Sequence, residues 1–214
     1  MAVKNGAKRL LISSPKGGVG KTTLTRNLAV AAALTGARVM IADLDKQRSL
    51  SQWWSRRPDQ LAPLDCLTAD LADAAEVMAA ADGHDVLVID TPTAVEEHPA
   101  SVKILLLAAD FVLVPTGVGR DDTESVARWM ELVQGLQRPA AFVLTRVNRR
   151  ARSLLDAKRR LAGAAGRLLP IEVPLFEDFN LSADTGIGVL EIRGANGAAD
   201  VAALWLYVAK EMGL

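Results

Sequence analysis

The chain has 214 residues, half of them hydrophobic, and its 25 basic and 25 acidic side chains leave a formal net charge of zero. This size and composition fit one α/β domain, 1–214, with a full-sized core; they exclude wholesale disorder and confine any polyanion-binding surface to a local patch. The lone cysteine, Cys66, allows neither an internal disulfide nor a thiolate metal cluster, which suits a reducing cytoplasm. Residues 1–9 are polar, the apolar run after them is too short for a signal peptide, and no stretch approaches the roughly 20 apolar residues of a membrane-spanning helix.

The first predicted strand, 9–13, runs into Ser14-Pro15-Lys16-Gly17-Gly18-Val19-Gly20-Lys21-Thr22-Thr23, and a helical pattern follows over 21–35. A strand, a glycine-rich loop and a helix N-terminus in this order make a phosphate-binding loop. Small residues let backbone N–H groups converge on phosphate oxygens, and the helix dipole adds positive potential. Lys21 is placed to reach the β/γ-phosphates and the Thr22 hydroxyl to ligate Mg²⁺. The ordinary loop has a glycine where Pro15 stands and lacks a lysine at Lys16. The variant resembles the deviant Walker A motif of the ParA/MinD ATPases. That resemblance implies ATP and Mg²⁺ as ligands, with Lys16 to Thr23 as the binding segment. It also implies that Lys16 crosses a dimer interface to touch the partner's bound phosphates.

Further strands are predicted at 38–42, 64–68, 86–90, 111–115, 140–146 and 168–173, and helices at 49–55, 71–81, 100–108, 123–137, 153–165 and 198–212. Continuous apolar strands alternating with helices read as a doubly wound, mostly parallel central sheet with helices on both faces, here of the P-loop NTPase type. Ligands of such sheets bind beyond the carboxyl ends of the strands. After the second strand comes Asp43-Leu44-Asp45-Lys46-Gln47, similar to the family's Asp-x-Asp-Pro-Gln with Lys46 in place of proline. The resemblance assigns Asp45 to the attacking water and to water-mediated Mg²⁺ contact. Trp53 and Trp54 point about 100° apart on a helix. Either one packs inward while the other rests on a neighbouring element, or one is an exposed anchor. The run Val86-Leu87-Val88-Ile89-Asp90 resembles a Walker B strand, which makes Asp90 a candidate Mg²⁺ ligand; Thr93 replaces a proline of the family pattern. His98 reads as a surface residue at a helix start, and Asp121, Asp122 and Thr123 as a helix N-cap.

Between residues 146 and 167 stand eight basic residues against a single acid, Asp156. Leu154, Leu155, Leu161 and Leu168 are expected to form the buried stripe, leaving the arginines toward solvent. Such a face is either a solvated basic helix or a phosphate-backbone surface that does not read base sequence. Because ParA-type ATPases bind DNA nonspecifically as ATP dimers, the resemblance favours DNA, with Arg149, Arg150, Arg152, Arg159 and Arg160 as candidates. Asp184-Thr185-Gly186-Ile187-Gly188-Val189-Leu190-Glu191 resembles the family's late Gly-x-x-Val-x-Glu phrase. The final helix reads as docked on the core rather than as a basic membrane anchor.

The resemblance thus implies an ATPase with Lys16, Lys21 and Asp45 as catalytic residues and a slow intrinsic turnover. It forms a homodimer with ATP, binds DNA, and answers to a ParB-like or adaptor partner that stimulates hydrolysis. Its expected place is the cytoplasm, on the nucleoid when ATP-bound, and its task is plasmid or chromosome partition or the positioning of a protein cluster. The alternatives are a MinD-like membrane-associated regulator and a ligase of the dethiobiotin synthetase type.

Overall fold

The computed structural model describes residues 6–214; residues 1–5, part of the polar N-terminal segment, lie outside it. Seven strands form one sheet in the order β3-β2-β4-β1-β5-β6-β7. They are β1 (Lys8–Ile12), β2 (Val39–Asp43), β3 (Leu64–Thr68), β4 (Val86–Asp90), β5 (Phe111–Thr116), β6 (Ala140–Val147) and β7 (Arg167–Pro174). Every pairing is parallel. The helices are α1 (Lys21–Ala33), α2 (Ser49–Trp54), α3 (Ala74–Ala80), α4 (Pro99–Ala108), α5 (Arg120–Gly135), α6 (Arg152–Ala162), α7 (Asp178–Thr185) and α8 (Ala198–Met212).

Alternate strand residues feed two cores. Leu10, Ile12, Val86, Val88, Phe111 and Leu113 pack under α1, α2 and α8. Leu11, Leu87, Ile89, Val112 and Val114 pack under α3, α4, α5 and α6. The division follows from right-handed crossovers: connections that step one way across the sheet lie on one face, and those that step the other way lie on the opposite face. The direction of winding reverses at β1, whose neighbours are β4 and β5. A crevice therefore opens beyond the carboxyl end of β1, where the glycine-rich loop begins. The outer strand β7 carries Pro170, which has no N–H to offer a further strand.

The structure changes several local expectations. A three-residue 3₁₀ turn, Leu71–Asp73, precedes α3, so the helix expected at 71–81 is shorter. The N-cap of α5 is Gly119; Asp121, Asp122 and Thr123 already lie in its first turn, and the Thr123 hydroxyl donates to the Gly119 carbonyl instead. In α6 the buried residues are Leu154, Ala157 and Leu161, while Leu155 faces solvent and Leu168 belongs to β7. Leu155 follows directly on Leu154 and so points about 100° away from the core. Helix α7 was not expected, its sequence Asp178-Phe179-Asn180-Leu181-Ser182-Ala183-Asp184-Thr185 having only a weak apolar period.

The tandem tryptophans divide as the structural alternative has it. Trp53 is fully buried and its indole N–H donates to the Ile187 carbonyl at 3.1 Å, whereas Trp54, 37% exposed, donates to the Leu64 carbonyl on β3. The late glycine phrase closes over the same region. Gly186 ends α7 at φ +73°, and a Cβ there would stand 2.4 Å from the carbonyl carbon of Arg56. Glu191 meets Arg57 in a buried two-pronged pair at 2.5 and 3.0 Å and also accepts the Gly188 N–H at 2.8 Å. Arg57 lies over the Trp53 ring as well, 5.8 Å from its centroid. Removing one member of a buried, hydrogen-bonded pair strands the other charge. Glu191→Ala is therefore expected to cost about 3 kcal/mol or more of unfolding free energy; a loss below about 1 kcal/mol in a denaturant titration would contradict the role given to the pair.

Candidate functional site

The loop from Ser14 to Gly20 joins β1 to α1 beside a groove of about 730 Å³. Gly17, Gly18, Gly20, Lys21, Thr22 and Thr23 line one wall, and Val173, Pro174, Leu175, Phe176, Phe179 and Asn180 the other. Asp45, Thr93 and Arg146 complete the rim. Gly20, at φ +80°, makes the left-handed turn into α1.

Two carbonyl groups of the loop are held by side chains of β6. Thr145 Oγ1 donates to the Val19 carbonyl at 2.7 Å, and the Arg146 guanidinium donates to the Gly18 carbonyl at 2.6 Å. Because each peptide is planar and trans, fixing a carbonyl on one side aims the next N–H to the other. Arg146 holds this position with φ +53°, a conformation non-glycine residues adopt only where the surroundings enforce it.

Lys21 is 8% exposed, and its ammonium donates to the Lys16 carbonyl at 2.9 Å. Burial lowers its pKa, with Asp90 and Asp45 opposing that shift. Lys16 itself is absent from the lining of the groove, and among the described residues its ammonium has no partner.

Asp43 and Asp90 are register partners at the carboxyl ends of β2 and β4, and both are buried. The Asp43 carboxylate accepts the Asp45 N–H at 3.2 Å and the Ser51 N–H at 2.8 Å, so it positions the loop that carries Asp45. Arg48 staples that loop to the Asp43 and Ala69 carbonyls. Asp45 accepts the Gln47 N–H and presents its carboxylate to the groove. Thr22 Oγ1 donates to Asp90 Oδ2 at 2.6 Å, while Asp90 Oδ1 is buried without a partner. Desolvation drives the Asp90 pKa up to about 7, reinforced by Asp43 and Asp45 and opposed by the Thr22 hydrogen bond and Lys21. Thr22, Asp45 and Asp90 thus supply hard oxygen atoms of the kind Mg²⁺ prefers, and one of those oxygens is unsatisfied.

The candidate arginines do not behave alike. Arg150 and Arg152 are exposed, at the start of α6 near the carboxyl edge of the sheet. Arg159 is exposed and touches only Asp156 of its own helix, at 3.4 Å. Arg149 is tied to Asp200 at 2.6 Å and to Glu172, and Lys158 also pairs with Glu172. Arg160 is turned toward α5, donating to Thr123 Oγ1 and to the Val118 carbonyl. Sequence reasoning did not single out Arg26, Arg146 or the wall around Phe179. For Arg26 a signal existed, a charged residue among the apolar positions of α1. Arg146 was hidden in the basic run.

Comparison with known proteins agrees with this geometry. Residues 10–189 match the family described as the CobQ/CobB/MinD/ParA nucleotide binding domain. A protein named "Maintenance of carboxysome distribution protein A" from Gloeobacter kilaueensis is 30% identical over 202 residues, covering 92% of this chain and 90% of that one. Among solved structures, the septum site-determining protein MinD of Pyrococcus horikoshii with Mg-ADP superposes with a TM-score of 0.78 at 20% identity, covering 97% of this chain and 98% of that one. A Cyanothece McdA–ATP complex does so with a TM-score of 0.71 at 20% identity, covering 98% of each chain. At such identities the two structures establish the fold alone. By its loop, its sheet order and the span of the family match, the chain belongs to the CobQ/CobB/MinD/ParA nucleotide binding domain family.

Proposed function

We propose that this chain is an Mg²⁺-dependent ATPase that pairs with a second copy when ATP is bound, holds DNA without reading its sequence, and so segregates or positions a cargo. The observation that carries this reading is the contrast between the two loop lysines. Lys21 lies in the groove against its own loop, whereas Lys16 lines no part of the groove and lacks an intramolecular partner among the described residues. An unpaired cation beside a phosphate site is suited to the phosphates of a facing subunit.

In this reading ATP lies along the loop with its phosphates on the amides of Gly17 to Thr23. Lys21 exchanges the Lys16 carbonyl for phosphate oxygens, Thr22 and Asp90 would hold Mg²⁺, and Asp45 orients the water that attacks the terminal phosphorus, releasing ADP and inorganic phosphate. Bound Mg²⁺ would neutralise charge on the β/γ-phosphate oxygens. Among the described residues no group of three or more His, Cys, Asp or Glu is arranged to hold a metal by itself. That fits a metal carried partly by phosphates.

The DNA surface narrows to Arg150, Arg152 and Arg159. Arg149 and Arg160 are engaged within the fold and serve the backing of that surface. The relative named for carboxysome distribution supports cargo positioning as the task. The ATP-bound dimer sits on the nucleoid, and hydrolysis, stimulated by a ParB-like or adaptor protein, releases it.

Lys16→Ala is expected to abolish ATP-dependent dimers in light scattering and ATP-dependent DNA binding, while nucleotide binding by the monomer persists. Dimers of the variant at wild-type strength would sink the crossing role. Reversing Arg150 and Arg152 to glutamate should lower DNA affinity by a factor of ten or more and flatten its salt dependence, with ATP turnover retained; unchanged affinity would remove these residues from the surface.

The raised Asp90 pKa has a definite sign. Without nucleotide the folded state keeps the Asp90 proton up to about pH 7, whereas the unfolded chain releases it near the ordinary carboxylate value of 3.8. This group's contribution is therefore present in full below about pH 4 and is lost as pH rises through about 7. The melting temperature of the nucleotide-free protein should fall across that range by more in wild type than in Asp90→Asn, and saturating Mg·ADP should remove the difference. Parallel pH profiles of wild type and variant without nucleotide would refute the assignment.

A further inference from the structure

Arg26 sits on α1 between Leu24 and Leu28, nearly two helical turns beyond the loop. Its side chain lines the groove, yet the residue is only 9% exposed. Nη2 donates to Thr23 Oγ1 at 3.3 Å and to the Phe179 carbonyl at 3.1 Å, while Nε is buried without a partner. Among the described residues no carboxylate forms an ion pair with it. Burial lowers its pKa to about 10, with Asp90 and Asp184 opposing and Arg56 assisting, so the guanidinium stays charged at neutral pH. A buried cation with only neutral acceptors is not neutralised within the fold, and an anion in the groove, reached through Thr23, answers its charge.

The chemistry of Thr23 follows. A guanidinium only donates, so a lone pair of Thr23 Oγ1 is taken up and the hydroxyl hydrogen must point elsewhere. A helical threonine ordinarily returns that hydrogen to the carbonyl four residues back. Thr25 does so, donating to the Lys21 carbonyl at 3.1 Å. For Thr23 that carbonyl is Val19, which is held by the Thr145 hydroxyl; among the described residues the Thr23 hydroxyl donates to no acceptor of the fold, and Thr23 lines the groove. The remaining direction is the groove. The same guanidinium grips Phe179 at the start of α7, the opposite wall, and so fixes the distance between the phosphate end of the groove and that wall.

We infer that Arg26 is a positioning residue for a bound nucleoside polyphosphate: it aims the Thr23 hydroxyl at a phosphate oxygen and ties the phosphate loop to the α7 wall. The inference rests on the reading of the groove as a nucleotide site. Thr23 makes the contact; Arg26 acts through it.

The test is calorimetric titration of Mg·ADP and Mg·ATP into wild type, Thr23→Val, Arg26→Met and the double variant, with a melting temperature for each. Arg26→Met and Thr23→Val should each weaken binding about tenfold, the worth of one charge-assisted hydrogen bond. The double variant should bind no more weakly than the weaker single, because both changes remove one interaction. A brace that only stabilises the fold would instead give losses that multiply and track the melting temperatures. Such multiplication, or affinity of Arg26→Met within twofold of wild type, would overturn the inference. Should Arg26→Met fail to fold, Arg26→Lys keeps the charge but not the two-acceptor reach, and an affinity restored fully to wild type would equally overturn it. Wild-type protein that binds neither nucleotide would overturn the nucleotide reading itself.

Discussion

Two buried carboxylates stand side by side at the carboxyl edge of the sheet. Asp43 and Asp90 are register partners on adjacent parallel strands, and neither has water to solvate its charge. Repulsion and desolvation together make this corner unfavourable unless donors or cations answer it. The chain answers Asp43 with backbone amides of Asp45 and Ser51, which also anchors α2. It answers Asp90 with the Thr22 hydroxyl and the nearby Lys21, and leaves one oxygen unanswered. The strain that would count against the fold is thereby turned into a demand for a divalent cation with its polyphosphate.

Around that corner the molecule is braced by long-range contacts between side chains and main-chain groups rather than by surface ion pairs. Thr145 and Arg146 hold the loop from β6; Arg26 and Asn27 reach from α1 to Phe179 and Val189; Trp53 of α2, with Arg56 and Arg57 just after that helix, reaches the segment 183–191. Helix α7 and the turn after it are thus grasped both by the helix that carries the phosphate loop and by the helix that follows the Asp45 loop. A displacement of either helix is felt by the same wall.

Much of this was legible in the sequence because it depends on local pattern. Continuous apolar runs marked most of the seven strands, and the loop, Asp45 and Asp90 fell at strand ends where a doubly wound sheet places its ligands. What escaped depended on distant partners. Arg149, Lys158 and Arg160 look like free charge along the chain, but Glu172, Asp200, Thr123 and Val118 reach them only in space. Helix α7 escaped because its packing against α1 and α2, rather than its own periodicity, makes it a helix. The purpose of the late glycine phrase likewise emerged only once Gly186 was seen against the backbone of Arg56.

The support of the Val19 carbonyl by Thr145 carries a lesson about drift. Anion contact in this loop is written in main-chain N–H groups, so the side chain of Val19 answers mainly to packing and can be exchanged for others of similar bulk. The hydroxyl that orients its peptide lies 126 residues away. Mutational tolerance inside the loop and intolerance far outside it are two faces of the same bond, and a survey of variants that weighed positions by their distance from the ligand would misjudge both.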